Sequence, residues 1–139
     1  MGQSLEFVEG KGPILGAIRS EADLNRLEPG MIAEKIEPVM ETLRRLRATV
    51  DGPDSIGVAA PGSVTLLGFA GAPFTVACYM VEGSGSREFA TVRAMAYQSP
   101  ALFDRLIDLL TETTTELLSA QIKAGAEAVM LFDSWAGLL

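Results

Sequence analysis

The sequence predicts an α/β fold organised around a parallel sheet, and three observations carry that expectation. Residues 64–67 are a short β-forming run, residues 128–132 are a second, and the residues between them have helical periodicity. Strands separated by helices are joined by crossovers, and a crossover returns the chain parallel to its first strand. The length of 139 residues, with 48% hydrophobic and 21% charged side chains, suits a single unit with its own apolar core. It falls well short of the roughly 250 residues of a complete (β/α)8 barrel.

Taken in order, residues 4–8 alternate as a short strand does, and Gly10, Gly12 and Pro13 end it. Ser20, with Asp23 three residues on, is a capping pattern for a brief helix that Pro29-Gly30 terminates. A longer helix runs to about Thr49, because Ile36, Val39, Met40, Leu43, Leu46 and Val50 recur at helical spacing. Pro38 is expected in its first turn, where a missing N–H costs little. Arg44, Arg45 and Arg47 are expected in its last turns, where cations favour the negative helix end.

Residues 51–62, with Gly52-Pro53, Gly57 and Pro61-Gly62, read as a loop. The run at 64–67 reads as a strand buried on both faces. Gly68-Phe69-Ala70-Gly71-Ala72-Pro73 is then the turn that leaves it. A helix is expected from about Pro73 to Val81, followed by a flexible Glu82-Gly83-Ser84-Gly85-Ser86 turn and a helical stretch over 87–97. Ser99 as N-cap and Pro100 at the first helical position start the longest helix. Its buried stripe is Leu102, Leu106, Leu109, Leu110, Thr113, Leu117 and Ala120, and Ala124-Gly125 closes it. Residues 128–132 form a second buried strand that delivers Asp133-Ser134-Trp135 at its carboxyl end.

Composition removes whole classes of chemistry from this stretch of chain. There is no histidine, so neither a Ser-His-Asp nor a Cys-His apparatus can be assembled from it, and imidazole-ligated zinc is excluded. Cys78 is the single cysteine, which rules out a disulfide framework and a thiolate metal site and fits a reducing compartment. Eighteen acidic against 11 basic residues give a net charge of −7, which argues against an intrinsic nucleic-acid surface. The first residues lack the basic and apolar regions of a signal peptide, and the apolar stretch around 64–81 is interrupted by Gly68, Gly71 and Pro73. A soluble, cytoplasmic protein without membrane or nucleic-acid partners is therefore expected.

Two strand ends attract attention, at 68–73 and 133–137, because parallel α/β folds bind ligands outside the carboxyl ends of their strands. Gly68 and Gly71 either let a ligand approach the backbone or simply permit a tight turn. Tyr79 lies about two turns into the following helix. Its hydroxyl suits a carboxylate or a proton transfer, and equally suits a core tyrosine reaching the surface. Ser134 has no histidine to activate it, so it either hydrogen-bonds a substrate or caps the next turn. Asp133 is either an acid-base group or a support for loop backbone. The turn at 83–86 is an anion nest or a plain connector, Cys78 is an inert core thiol, and Trp135 walls a pocket or packs under a loop.

A reaction is suggested by longer strings. Leu67-Gly68-Phe69-Ala70-Gly71-Ala72-Pro73-Phe74-Thr75, Tyr79-Met80-Val81-Glu82-Gly83 and Phe132-Asp133-Ser134-Trp135-Ala136-Gly137 closely resemble the uroporphyrinogen decarboxylase family. Val8-Glu9-Gly10-Lys11-Gly12-Pro13 and Gln121-Ile122-x-Ala124-Gly125-Ala126 resemble it too, in the same order. The resemblance implies a partial (β/α)8 TIM barrel, with residues 1–139 an incomplete domain holding its central βα units. It implies decarboxylation of the four acetate side chains of uroporphyrinogen to give coproporphyrinogen in haem biosynthesis, without cofactor or metal, by a homodimer. It assigns Tyr79 as the active-site tyrosine and Ser134 as a substrate contact, with Phe69 and Gly71 lining the cleft.

Ser84 departs from a glycine common in that family's turn, and Asp133-Ser134-Trp135 is one of several variants at its strand end. The family's Met-Arg-Gln-Ala-Gly-Arg-Tyr motif, its substrate-gripping aspartate and its carboxyl-terminal Gly-His segment do not occur here. The polypeptide on its own is accordingly expected to be inactive. Two alternatives stand beside this reading: a corrinoid-dependent methyltransferase of the same superfamily, which uses zinc, and a non-catalytic α/β binding module.

Overall fold

A computed structural model describes residues 1–10, 12–51 and 64–139. The loop expected at 51–62, apart from Asp51, and Lys11 of the Val8–Pro13 string lie outside the described residues. Two small sheets and five helices are described. Strands β1 (Leu5–Val8) and β2 (Gly12–Leu15) form an antiparallel hairpin with Leu5 opposite Leu15 and Val8 opposite Gly12. The expected first strand is there, but Gly10 and Gly12, both at positive φ, reverse the chain into β2 rather than ending the sheet structure.

Helix α1 (Glu21–Leu24) starts at Ser20, whose hydroxyl accepts from the Asp23 N–H at 3.2 Å and donates to the Asp23 carboxylate at 2.7 Å. These bonds, led by the serine and the Arg19 N–H, hold Asp23 below the ordinary carboxylate range. The helix ends before Pro29-Gly30, which instead open a single 3₁₀ turn at Pro29–Met31. Helix α2 (Ile32–Asp51) begins at once, so Pro38 is an interior residue and not a first-turn one. The carbonyl of Glu34 thereby loses its helical partner, on a face where Glu34 and Pro38 are both exposed to water.

Two further expectations for α2 are corrected. Of its apolar stripe only Met40 is buried, while Val39 and Leu46 face solvent, because α2 packs chiefly on one other helix and covers no sheet. The arginines stand before the last turn and neutralise side chains rather than the helix end. Arg44 reaches Glu37 (2.9 Å), Arg45 reaches Glu41 (2.7 Å), and Arg47 pairs with Asp51 and Glu127.

Strand β3 (Leu67–Gly71) is displaced from the expected 64–67 and occupies most of what reads as a turn. The glycine signal has a different cause. Gly68 lies against helix α5 (Pro100–Lys123), where an added Cβ would collide with the Gln121 side chain and sit 3.2 Å from Val129. Small residues here serve close helix–strand packing, reinforced by a hydrogen bond from Gln121 Nε2 to the Phe69 carbonyl at 2.9 Å. Strand β4 (Ala128–Phe132) pairs with β3 in parallel, Leu67 beside Ala128 and Gly71 beside Phe132. Their amino ends are tied by Glu127, whose N–H bonds to Leu66 O (2.9 Å) and whose carboxylate accepts from Leu66 N–H (3.0 Å) and Arg47 (2.6 Å).

Between these strands run α3 (Pro73–Glu82), α4 (Ala90–Gln98) and α5, close to the expected spans. Their shared core is made of Ala77, Cys78, Val81, Val92, Leu106 and Leu110. Leu106, Leu110 and Thr113 of the α5 stripe are buried, and so is Gln121, which the apolar pattern leaves out. Ser99 precedes α5 as expected, though its backbone carbonyl, not its side chain, accepts the first bond, from Phe103 N–H at 3.1 Å. Gly125, at φ +112, follows the last turn and leaves room for the Arg47 stem.

Burial on both faces is not found for either strand. In β3, Gly68 and Ala70 are buried toward α5 while Leu67 and Phe69 are exposed, and the expected buried strand at 128–132 is exposed along its whole length, Val129 and Leu131 as well as Met130 and Phe132. Among the described residues no helix is long and apolar enough to cross a membrane.

Candidate active site at the strand carboxyl ends

Because β3 and β4 are parallel and in register at Gly71 and Phe132, the segments that leave them emerge side by side. The Ala72 N–H bonds to the Phe132 carbonyl at 2.7 Å, extending the pairing one step beyond the strands. Pro73 then opens α3, with its missing N–H at a position that has no helical partner in any case.

Thr75 joins the two segments. It is 7% exposed, its hydroxyl donates to the Asp133 carboxylate at 3.0 Å and accepts from the Ser134 N–H at 2.9 Å. The same carboxylate oxygen of Asp133 also meets the Trp135 N–H at 3.4 Å. Asp133 is therefore engaged as a support for loop backbone, one of the two roles its sequence position leaves open.

Trp135 carries the aromatic side of the edge. Its ring lies 5.0 Å from that of Tyr79, edge to face, and 4.4 Å from that of Phe89. Phe89 has φ +50, a costly conformation for a non-glycine residue, held where the chain enters α4. The Glu82 carboxylate accepts the Thr91 and Val92 N–H groups at 2.9 and 3.1 Å and so caps α4 from the end of α3. Gly83, at φ +79, closes α3 with its N–H on the Tyr79 carbonyl at 2.9 Å.

The structure thus places the expected site residues as follows. Tyr79 is 43% exposed and is linked to the Ser134 segment through Trp135. Ser134 stands at the end of β4 with its backbone anchored and its residue exposed. Gly71 ends β3, and a Cβ there would sit 3.0 Å from the Val76 side chain. Phe69 is inside β3 rather than in a turn, 64% exposed and edge-on to Phe132 at 5.9 Å. The residues missed by pattern reading are Thr75 and Glu82, both within strings quoted above, whose partners are remote in sequence.

Cys78 is fully buried, and burial first, then the charges of Glu82 and Asp133, push its thiol up to about 11. It is a core residue and not a nucleophile. Arg19 is equally committed to structure, donating to the Val81 and Glu82 carbonyls at 3.0 Å each at the end of α3. Among the described residues no group of three or more Cys, Asp or Glu side chains is arranged to hold a metal ion.

Parallel strands crossed over by helices, with loops and an aromatic cluster gathered at one carboxyl edge, define a βα-type protein. The family model described as "Uroporphyrinogen decarboxylase (URO-D)" matches residues 1–139, and the chain belongs to that family. A curated relative named uroporphyrinogen decarboxylase from Gluconacetobacter diazotrophicus is 72% identical over all 139 residues. Relatives of the same name from Gluconobacter oxydans and Rhodospirillum rubrum are 62% and 42% identical over the whole chain. The chain spans 39%, 36% and 37% of the lengths of these three proteins.

Proposed function

We propose that residues 1–139 supply neighbouring βα units of a (β/α)8 barrel that decarboxylates uroporphyrinogen to coproporphyrinogen. The observation that carries this reading is the convergence of Tyr79 and Ser134 on one strand edge in a chain of this family. Protonation of the pyrrole carbon bearing an acetate makes the ring an electron sink. The acetate then loses CO2, its electron pair neutralises the ring cation as an exocyclic methylene, and protonation of that carbon with loss of the added ring proton leaves a methyl group on a restored pyrrole. No cofactor is needed for that sequence. Fixed charge that stabilises the cationic ring lowers its barrier.

In this reading the Tyr79 hydroxyl donates to a substrate carboxylate or moves a proton beside the reacting acetate. Ser134 hydrogen-bonds a second carboxylate, while Phe69 and Gly71 line the wall against the flat macrocycle. Arg19, Arg44, Arg45 and Arg47 are committed to structural bonds and are not assigned as cationic partners of a polycarboxylate substrate. Residues 1–139 alone are then an incomplete, inactive domain. A homodimer in the cytoplasm remains the family expectation for the complete protein.

The test places residues 1–139 in the G. diazotrophicus protein in exchange for the segment they match. The chimera is expected to convert uroporphyrinogen to coproporphyrinogen. Tyr79→Phe and Ser134→Ala are each expected to lower its kcat/KM about 10- to 100-fold, the worth of a hydrogen bond to a charged group. Unchanged kinetics in both variants would remove them from the site.

A further inference from the structure

We infer that Thr75 is the positioning residue for Ser134. The inference rests on the reading of Ser134 as a substrate contact and names the group that sets its place. Thr75 is buried at the first turn of α3, yet both hydrogen bonds of its hydroxyl cross to the segment after β4. By accepting the Ser134 N–H at 2.9 Å it fixes the backbone from which the serine side chain projects. By donating to Asp133 at 3.0 Å it orients the carboxylate that also faces the Trp135 N–H, so the residues on both sides of Ser134 are held as well. One hydroxyl therefore registers the segment that carries Ser134 against a single helix start. Only a hydroxyl residue can do this, since the position needs a donor and an acceptor on one atom.

Valine matches threonine in shape and removes both bonds, while serine keeps them. The experiment is a double-mutant cycle in the chimeric decarboxylase described above, with kcat and KM for uroporphyrinogen measured separately and folding followed by circular dichroism. Thr75→Val is expected to raise KM about 10-fold with a smaller change in kcat, and Thr75→Ser to stay within about twofold of the parent. In the Ser134→Ala background, Thr75→Val is expected to add less than about twofold, because its route to substrate has already been removed. Where valine prevents folding, Thr75→Ala completes the same cycle. Full additivity of the two substitutions, or a parent-like KM in folded Thr75→Val, overturns the inference while leaving the Ser134 contact intact. A parent-like Ser134→Ala overturns the reading of Ser134 as a substrate contact, and the inference with it.

Discussion

At the scale of single residues, Cys78 gives the clearest link between burial and a measurable property. Its thiol is raised from an ordinary 9.0 to about 11 because the thiolate would be stranded in an apolar core beside the charges of Glu82 and Asp133. In the unfolded chain the same thiol ionises near its ordinary value. The stability that depends on a neutral Cys78 is thus complete below about pH 9 and is lost as pH rises toward 11. Denaturant melts across that range are expected to show the decline, and Cys78→Ala should flatten it. Iodoacetamide at pH 8 should leave the native thiol unmodified and label it only on unfolding.

Single residues also mark the limit of what the sequence reveals. Ser20, Gly83 and Gly125 are legible because a cap or a left-handed turn is a local event with a local signature. Thr75 and Glu82 are not, since their partners lie after β4 and in α4 and only the folded chain brings them near. Tyr79 and Ser134 were singled out through family resemblance, because local chemistry alone left each with a bland alternative.

At the scale of elements, α3, α4 and α5 fall close to the spans their sequence predicts, whereas the strands and the apolar stripe of α2 do not. Helices α3 and α5 end where proline and glycine signals put them, since those signals act on the backbone itself. Strand β3 is misread because glycine has two uses, and here Gly68 serves contact with α5 rather than reversal of the chain. The hairpin partner β2 is hidden for a related reason, as Pro13 within it speaks against a strand and is tolerated only in a pair without further neighbours. Helix α2 carries a removable defect. Pro38→Ala restores the N–H that the Glu34 carbonyl lacks and relieves the ring's clash with the preceding turn. It is expected to stabilise the chain by about 1–3 kcal/mol, read as a higher denaturant midpoint at unchanged slope.

At the scale of the molecule, the parallel sheet is covered only over one face of β3, and β4 is exposed on both faces. Parallel sheets are stable when both faces are covered, yet Leu67, Phe69, Met130 and Phe132 form a bare apolar face opposite α5. A net charge of −7 keeps the rest of the surface soluble without shielding this patch. Residues 1–139 by themselves are expected to self-associate at micromolar concentration by light scattering. The pair Phe69→Lys and Met130→Lys should restore a monomer without loss of helix content, and continued association of that double variant would place the sticky surface elsewhere.

The joining of β3 to β4 also has a consequence in time. Leu67 cannot meet Ala128 until α3, α4 and α5 have all been threaded between them, so this pairing closes a long loop. The three helices have a core of near neighbours in sequence and can condense first. Strand β4 then docks onto a preformed β3–α5 surface, and Glu127 and Thr75 engage only at that moment, one at each end. The Thr75–Ser134 bond of the candidate site therefore exists only once this long-range pairing has formed.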